Sequence, residues 1–189
     1  MKGNAAKILQ YAGIGIVAIP LSILTHELGH FLAYHFWGAA NVQLHSVSVS
    51  ADKEMLTGIQ IASVSILGPI ISYLTIGIAL FATARTYIPF WIILGCSAPI
   101  GRIVNFVYVY FRVLGASPNP SFDEFNFSRS LNIEPLWLSI VTIAIVLVTF
   151  FVFFRKAWKD GRYVEVLMVI FSLAAGLSIW SLIGGVILP

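Results

Sequence analysis

One stretch of the chain, Leu136–Phe154, carries no charged residue over 19 consecutive positions. A helix of about 20 apolar residues is long enough to cross the roughly 30 Å hydrocarbon core of a bilayer. The whole chain of 189 residues is 59% hydrophobic and only 10% charged, whereas soluble domains carry about 25% charged residues. A soluble core of this size has no room for so many apolar side chains. The sequence therefore predicts an integral membrane protein.

Four further apolar stretches accompany this one, so we expect a single domain over residues 1–189, an all-α membrane protein with about five transmembrane helices. The chain is basic, with a pI of about 9.1, but its Lys and Arg residues flank the hydrophobic spans, as is typical of membrane proteins. We therefore expect the lipid bilayer, and not nucleic acid, as its partner. The predicted spans are Ile8–Trp37, Ile61–Ala84, Ile88–Leu114, Leu136–Phe154 and Val164–Leu188.

The connection after the first span contains a period-two pattern. Residues Asn41–Ser50 alternate apolar and polar side chains, which favours a β-strand. After a polar tip at residues 52–54, the segment Met55–Ile61 is predicted to return as the second strand of a small β-hairpin. An edge strand of this kind can hold an extended peptide through backbone hydrogen bonds. The alternative is a plain interfacial loop.

The connection after the third span, residues 115–135, contains Pro118, Pro120 and Pro135, which exclude regular helix there. It also carries two acidic residues, Asp123 and Glu124. With five spans, this connection lies on the same side of the membrane as the connection after the first span. Residues from the two connections can therefore meet at one site.

The first span ends in a cluster of ionisable residues, His26-Glu27-Leu28-Gly29-His30. Residues four apart share a helical face, so the two imidazoles can bind one Zn²⁺ while Glu27 acts as the general base of a metalloprotease. Zinc lowers the pKa of a water ligand and polarises the scissile carbonyl. Ionisable groups at membrane depth are costly and mark functional sites. The alternative is a polar helix end whose side chains simply face water.

Two imidazoles leave zinc one protein ligand short of the usual three. Asp123 and Glu124 lie on the same side of the membrane as the two histidines, and Asp123 is the preferred candidate, with Glu124 as the alternative ligand. Cys96 lies within a span and is expected to pack in the core. His35 lies off the metal-binding face of its helix, and His45 is expected to be solvated or hydrogen-bonded on the strand.

Three separated motifs resemble, in the same order, those of the site-2 protease family of intramembrane zinc metalloproteases. The segment HELGHFLAYHFWG (His26–Gly38) resembles the first motif, and LGPIIS (Leu67–Ser72) is similar to the Gly-Pro-x-x-Asn element, with Ser72 where Asn is usual. The segment PNPSFD (Pro118–Asp123) resembles the approach to the Leu-Asp-Gly motif, whose Asp is the third zinc ligand. The resemblance covers about residues 8–124.

This resemblance implies a catalytic core at about 8–124 with additional helices within 136–188. It implies one Zn²⁺ per chain held by His26, His30 and Asp123, with Glu27 as the catalytic base. The chain would then be a zinc metalloendopeptidase that hydrolyses peptide bonds in transmembrane or membrane-proximal segments of membrane proteins. A chain of 189 residues leaves no room for a PDZ or CBS domain, so we expect no regulation through such a module.

The chain departs from the family pattern around the third ligand. Phe122 replaces Leu, and Glu124 replaces Gly, which puts a second carboxylate beside the metal. The family's Asn eight residues before the Asp is Gly115 here, so Asn105 or Asn119 is expected to supply the corresponding contact to substrate or oxyanion.

Arg102 and Asn105 lie one helical turn apart on one face of the third span. One interpretation has them line the active-site cavity and stabilise the oxyanion. The other has Arg102 form a structural pair with an acid or with backbone carbonyls, as intramembrane charges commonly do.

Two rival functions stay open, a non-proteolytic zinc-binding membrane scaffold and a prenyl-peptide-type metalloprotease with a Glu as third ligand. The basic residues predict a multi-pass protein of the cell membrane with a cytosolic N-terminus, although the family more often places its zinc towards the cytosol. Seven Lys or Arg residues lie at the end of the bundle that holds the N-terminus (Lys2, Lys7, Arg85, Arg155, Lys156, Lys159 and Arg162), and two lie at the other end (Lys53 and Arg129).

Overall fold

The computed structural model describes residues 2–85, 88–159 and 161–188. Within these residues five helical segments are long and apolar enough to cross a membrane, and a two-stranded sheet follows the first helix. The predicted fold class is therefore confirmed, and the architecture is compatible with a multi-pass membrane protein. The elements are α1 (Lys2–Phe36), β1 (Ala40–Leu44), β2 (Val49–Asp52), α2 (Gly58–Arg85), α3 (Pro89–Ser97), a 3₁₀ helix (Ile100–Ile103), α4 (Val104–Val113), α5 (Asp123–Ser130), α6 (Pro135–Lys159) and α7 (Tyr163–Ile187).

The third predicted span, Ile88–Leu114, is not one continuous helix, because the 3₁₀ helix separates α3 from α4. Pro99 lies at the break, where its ring and its missing N–H disrupt the regular hydrogen-bond ladder. The backbone N–H of Arg102 donates instead to the Pro99 carbonyl over 2.9 Å. The break leaves Arg102 in the 3₁₀ helix with its side chain buried.

Helices α1 and α7 pack against each other along small residues. A methyl group on Gly15 of α1 would overlap the backbone of Ser172 in α7, and one on Gly176 of α7 would overlap the backbone of Gly15. The Ser172 hydroxyl donates to the Tyr11 carbonyl. Small residues let transmembrane helices approach this closely. Because α1 also packs against α2 and α3, it carries the His-Glu-x-x-His cluster into the interior of the bundle.

The polarity of the bundle matches a lipid environment. Large apolar side chains are exposed on its outer surface, while several hydroxyl side chains are buried among the helices. Lipid tails can solvate the apolar side chains but offer no hydrogen bonds, so polar groups are expected inside. Exposed examples are Leu9, Leu74, Phe81, Phe151 and Leu182, and buried ones are Ser65, Ser72, Ser139, Thr142 and Ser172.

The hairpin after α1 is confirmed, but its predicted strand boundaries are wrong. Both strands lie between Ala40 and Asp52, with Leu44 paired to Val49. The stretch predicted as one strand therefore contains the turn, which the N–H of His45 closes by donating to the Ser48 carbonyl over 2.8 Å. The alternation holds on both sides of the turn and is interrupted only by the adjacent polar residues His45 and Ser46, so the pattern did not reveal the turn.

The segment predicted as a returning strand, Met55–Ile61, instead enters α2. Thr57 N donates to Gln60 Oε1 over 2.8 Å, and Gln60 N donates to Thr57 Oγ1 over 3.4 Å. This reciprocal pair is a capping box, which satisfies amides at a helix start that otherwise lack partners. The sequence Thr-x-x-Gln carries this signal, and it outweighs the short apolar pattern.

The connection after the third span contains a short helix, contrary to the expectation that its prolines exclude one. α5 begins at Asp123, three residues after Pro120. The prolines restrict the chain only up to that point, and two acidic residues in the first turn of α5 are favourable at the positive end of the helix dipole. α5 packs against α2 and α6, so the connection folds back onto the bundle.

Candidate metal centre

Helix α1 buries one face of its cluster in the bundle. His26, Glu27 and His30 are 8%, 8% and 7% exposed, whereas Leu28 between them is 41% exposed. The two imidazoles meet edge to face with their ring centroids 4.8 Å apart. The interpretation in which these side chains simply face water is therefore wrong.

Helix α2 orients both imidazoles. His26 Nδ1 lies 3.0 Å from Ser72 Oγ, and His30 Nδ1 donates to the Val64 carbonyl over 2.7 Å. With Nδ1 engaged in this way, each ring directs Nε2 to the interior, and the two Nε2 atoms lie 3.1 Å apart. Hydrogen bonds of this type fix the ring orientation and tautomer of metal-binding histidines.

Gly68 leaves the space that the two rings occupy. A Cβ atom there would overlap His30 Nε2 and would lie 2.8 Å from His26 Cε1. Gly68 therefore allows α2 to pack directly against the imidazoles.

Asp123 joins the two histidines from the start of α5. Its Oδ2 lies 3.1 Å from His26 Nε2, and its Oδ1 lies 3.3 Å from His30 Nε2. The three side chains offer ligand atoms that all lie within 4.8 Å of one another. A tetrahedral ion with bonds of 2.0–2.1 Å needs its donor atoms about 3.3 Å apart. The donor set and its spacing therefore fit a metal ion.

Glu124 does not join this group. Its side chain is 1% exposed, and Arg102 Nη1 donates to Glu124 Oε1 over 3.0 Å. The same nitrogen donates to Asp123 Oδ2 over 2.9 Å, and Arg102 Nη2 lies 3.3 Å from His26 Nε2. The geometry thus groups Asp123, and not Glu124, with the imidazoles. Arg102 is therefore a partner of acids, as one interpretation predicted, and it also lines the larger cavity described below, as the other predicted.

The surroundings of Asp123 favour its ionised form. Burial alone would raise the pKa of this carboxyl, but hydrogen bonds from His26 and His30 and the charge of Arg102 outweigh burial. The pKa of Asp123 therefore lies well below its ordinary value. An ionised carboxylate is the form that binds metal.

Two cavities meet at Glu27 and Asp123. One of about 330 Å³ extends past Phe122, and another of about 260 Å³ extends towards Lys53. Glu27 lines both cavities. It does not belong to the group of His26, His30 and Asp123 that could hold a metal ion. A carboxylate in this position can exchange protons with a molecule that enters either cavity.

Several other predicted residues lie away from the cavities. Asn105 is fully buried and donates to the Arg102 carbonyl over 3.2 Å, and Asn119 accepts from Arg129 Nη1 over 2.7 Å. Neither asparagine lines the two cavities at the site. Cys96 packs in the hydrophobic core, as expected.

The turn of the hairpin, which the sequence did not assign to the site, borders it. Val47 lines both cavities. Its neighbour Ser46 donates its amide to the Leu188 carbonyl and accepts from Trp180 Nε1, each over 3.1 Å. Helix α7 therefore holds the turn in place, although it contributes no ligand to the metal group. No local sequence pattern signals a contact between residues 134 positions apart.

Comparison of the chain with family models, curated proteins and solved structures finds no match.

Proposed function

We propose that the chain is an intramembrane zinc metalloendopeptidase that hydrolyses peptide bonds in transmembrane or membrane-proximal segments of membrane proteins. The observation that carries this proposal is the convergence of three ligand side chains beside a buried glutamate, at the junction of two cavities in an apolar helical bundle. His26, His30 and Asp123 would hold the ion. Zinc bound there would supply positive charge that polarises a carbonyl and acidifies water.

Glu27 is the proton carrier in this proposal. As general base it accepts a proton from the water that adds to the peptide carbonyl carbon. It then returns the proton to the amide nitrogen as the C–N bond breaks. The water oxygen stays on the new carboxyl group and the new amine leaves, so no covalent enzyme intermediate forms.

Arg102 is a positioning residue in this proposal. Its Nη1 donates to the carboxylates of both Asp123 and Glu124. The ion pair with Asp123 holds the ligand carboxylate against the imidazoles. Glu124 would keep the buried guanidinium paired while Asp123 holds the ion.

The orientation follows from charge. We propose that the N-terminus faces the cytosol and that the protein resides in the cell membrane, because the basic residues concentrate at the end of the bundle away from the metal group. The metal group then lies towards the outer half of the bilayer.

The proposal is tested with the Glu27→Gln variant, purified in detergent with zinc. We expect one Zn²⁺ per chain by elemental analysis in both proteins, because Glu27 is not a ligand. Cleavage of a transmembrane test peptide, followed by mass spectrometry, should fall by at least about 100-fold. Equal cleavage by both proteins would refute Glu27 as the base, and zinc binding without cleavage by either would favour a zinc-binding scaffold.

A further inference from the structure

The two cavities at the metal group differ in chemical character. They share Glu27, Val47, Ser121 and Asp123 as lining residues. The larger cavity presents mostly apolar surface, to which Ile23, Ala98 and Phe122 contribute. The smaller cavity presents mostly polar surface, to which Ser48, Ser65 and Asn126 contribute. A chain that crosses the site therefore meets an apolar environment on one side and a polar one on the other.

Lys53 gives the polar cavity a positive charge. Its ammonium group lies 5.7 Å from the centre of the Tyr34 ring, and both residues line this cavity. Lys53 is the only Lys or Arg among the described residues that line it. Within the described part of the chain Lys53 forms no salt bridge. Its charge is therefore available to an incoming group.

A peptide that runs from one cavity into the other passes Glu27 and Asp123, which line both cavities. The residues on the two sides of the scissile bond would therefore enter different cavities. Resting on the proposed function, we infer that the substrate is cut where an apolar membrane segment meets a polar one, and that an Asp or Glu beside the scissile bond occupies the polar cavity and pairs with Lys53. Lys53 is then a specificity-determining residue.

The test uses transmembrane peptides in a neutral, phosphate-free detergent, so that lipid phosphate does not compete for Lys53. A single Asp, Asn or Lys is moved stepwise across the junction between the apolar and polar segments. The cut position and kcat/KM are measured by mass spectrometry. We expect cleavage next to the junction, with the best Asp peptide cut about fivefold faster than its Asn counterpart, as for two opposite charges at close range in water.

A variant in which two neighbouring charges are exchanged distinguishes the effect of a charge that lines the polar cavity from the effect of the net charge of the chain. Lys53→Glu should reverse the preference to Lys peptides by a similar factor. The double variant Lys53→Glu with Glu54→Lys keeps the net charge, and Glu54 does not line either cavity. The double variant should show the same preference for Lys peptides as Lys53→Glu. A return to the wild-type preference in the double variant would overturn the assignment of Lys53.

The two proposals fail in different ways. If the zinc-loaded wild type and Glu27→Gln both leave every peptide intact, the protease proposal fails. If the wild type cleaves and Glu27→Gln does not, but Asp, Asn and Lys peptides are cut at equal rates, only the specificity inference fails. Cleavage in the middle of the apolar segment would also overturn this inference.

Discussion

Arg102 Nη1 donates to Asp123 Oδ2 over 2.9 Å, and the same nitrogen bridges to the neighbouring Glu124. The two adjacent carboxylates thus differ in their contacts. One turns its second oxygen to His30, and the other remains buried with the guanidinium. Of the two acids, only Asp123 belongs to the group that could hold a metal ion.

The first prediction compares the two acids through amide substitutions of matched size. Asp123→Asn should weaken zinc affinity by at least about 100-fold, because an amide is a poor zinc ligand. Even the loss of a hydrogen-bond partner of a metal ligand lowers metal affinity by about 10- to 100-fold. Glu124→Gln should keep one Zn²⁺ per chain, because its amide oxygen can still accept from Arg102. Competition with a fluorescent zinc chelator measures both. Loss of zinc in Glu124→Gln alone would favour the prenyl-peptide type of site.

The second prediction concerns the orientation of His26. Ser72→Ala removes the hydroxyl 3.0 Å from His26 Nδ1, and we expect zinc affinity to fall by about 10- to 100-fold. Ser139→Ala is the control, because Ser139 is equally buried but its hydroxyl has no hydrogen-bond partner among the described residues. Equal zinc affinity in the two variants would contradict the role of Ser72.

The third prediction concerns the space beneath the imidazoles. Gly68→Ala should displace His26 and His30, because its Cβ would overlap the rings, and we expect loss of zinc binding together with a lower Tm. Gly77→Ala lies in the same helix, and its Cβ meets nothing within 4 Å. This control should keep zinc and gain up to about 1 kcal/mol of stability from the better helix propensity of Ala. A Gly68→Ala protein with normal zinc content would disprove the packing argument.

The fourth prediction concerns the hairpin turn. Trp180→Phe removes the N–H that donates to the Ser46 carbonyl. Because the metal ligands lie elsewhere, zinc content should stay at one per chain while KM for a test peptide rises several-fold, the equivalent of about 1 kcal/mol for one hydrogen bond. Trp158→Phe, on an exposed residue, is the control and should leave KM unchanged. Zinc loss in Trp180→Phe would show that the turn serves the metal group rather than substrate binding.

The transmembrane helices were predictable because each one is a long apolar run, and the burial of His26, Glu27 and His30 followed from their spacing on one of these helices. Asp123 was predictable from its side of the membrane and from the resemblance of the segment PNPSFD to a family motif. The hairpin turn was not, because the alternation resumes directly after the polar pair His45-Ser46, which alone marks the break. The partners of the imidazoles were missed as well, since Val64 contributes a backbone carbonyl, which leaves no trace in the sequence.

The Arg102 pairing illustrates the same limit at longer range. The sequence offered two roles for this arginine, and the choice depended on how α5 folds back onto the bundle. Pro99 and the start of α5 after Pro120 shape the chain locally. The distance between the guanidinium and two carboxylates about twenty residues away arises only when the helices pack.

The attachment of Ser46 to α7 keeps the hairpin turn beside the two cavities. Two hydrogen bonds hold the turn that carries Val47, and together they contribute about 2 kcal/mol. On that basis about one molecule in thirty has the turn released at 25 °C. In the proposed protease, the surface that Val47 adds to both cavities would then be in place in nearly all molecules before a substrate segment arrives.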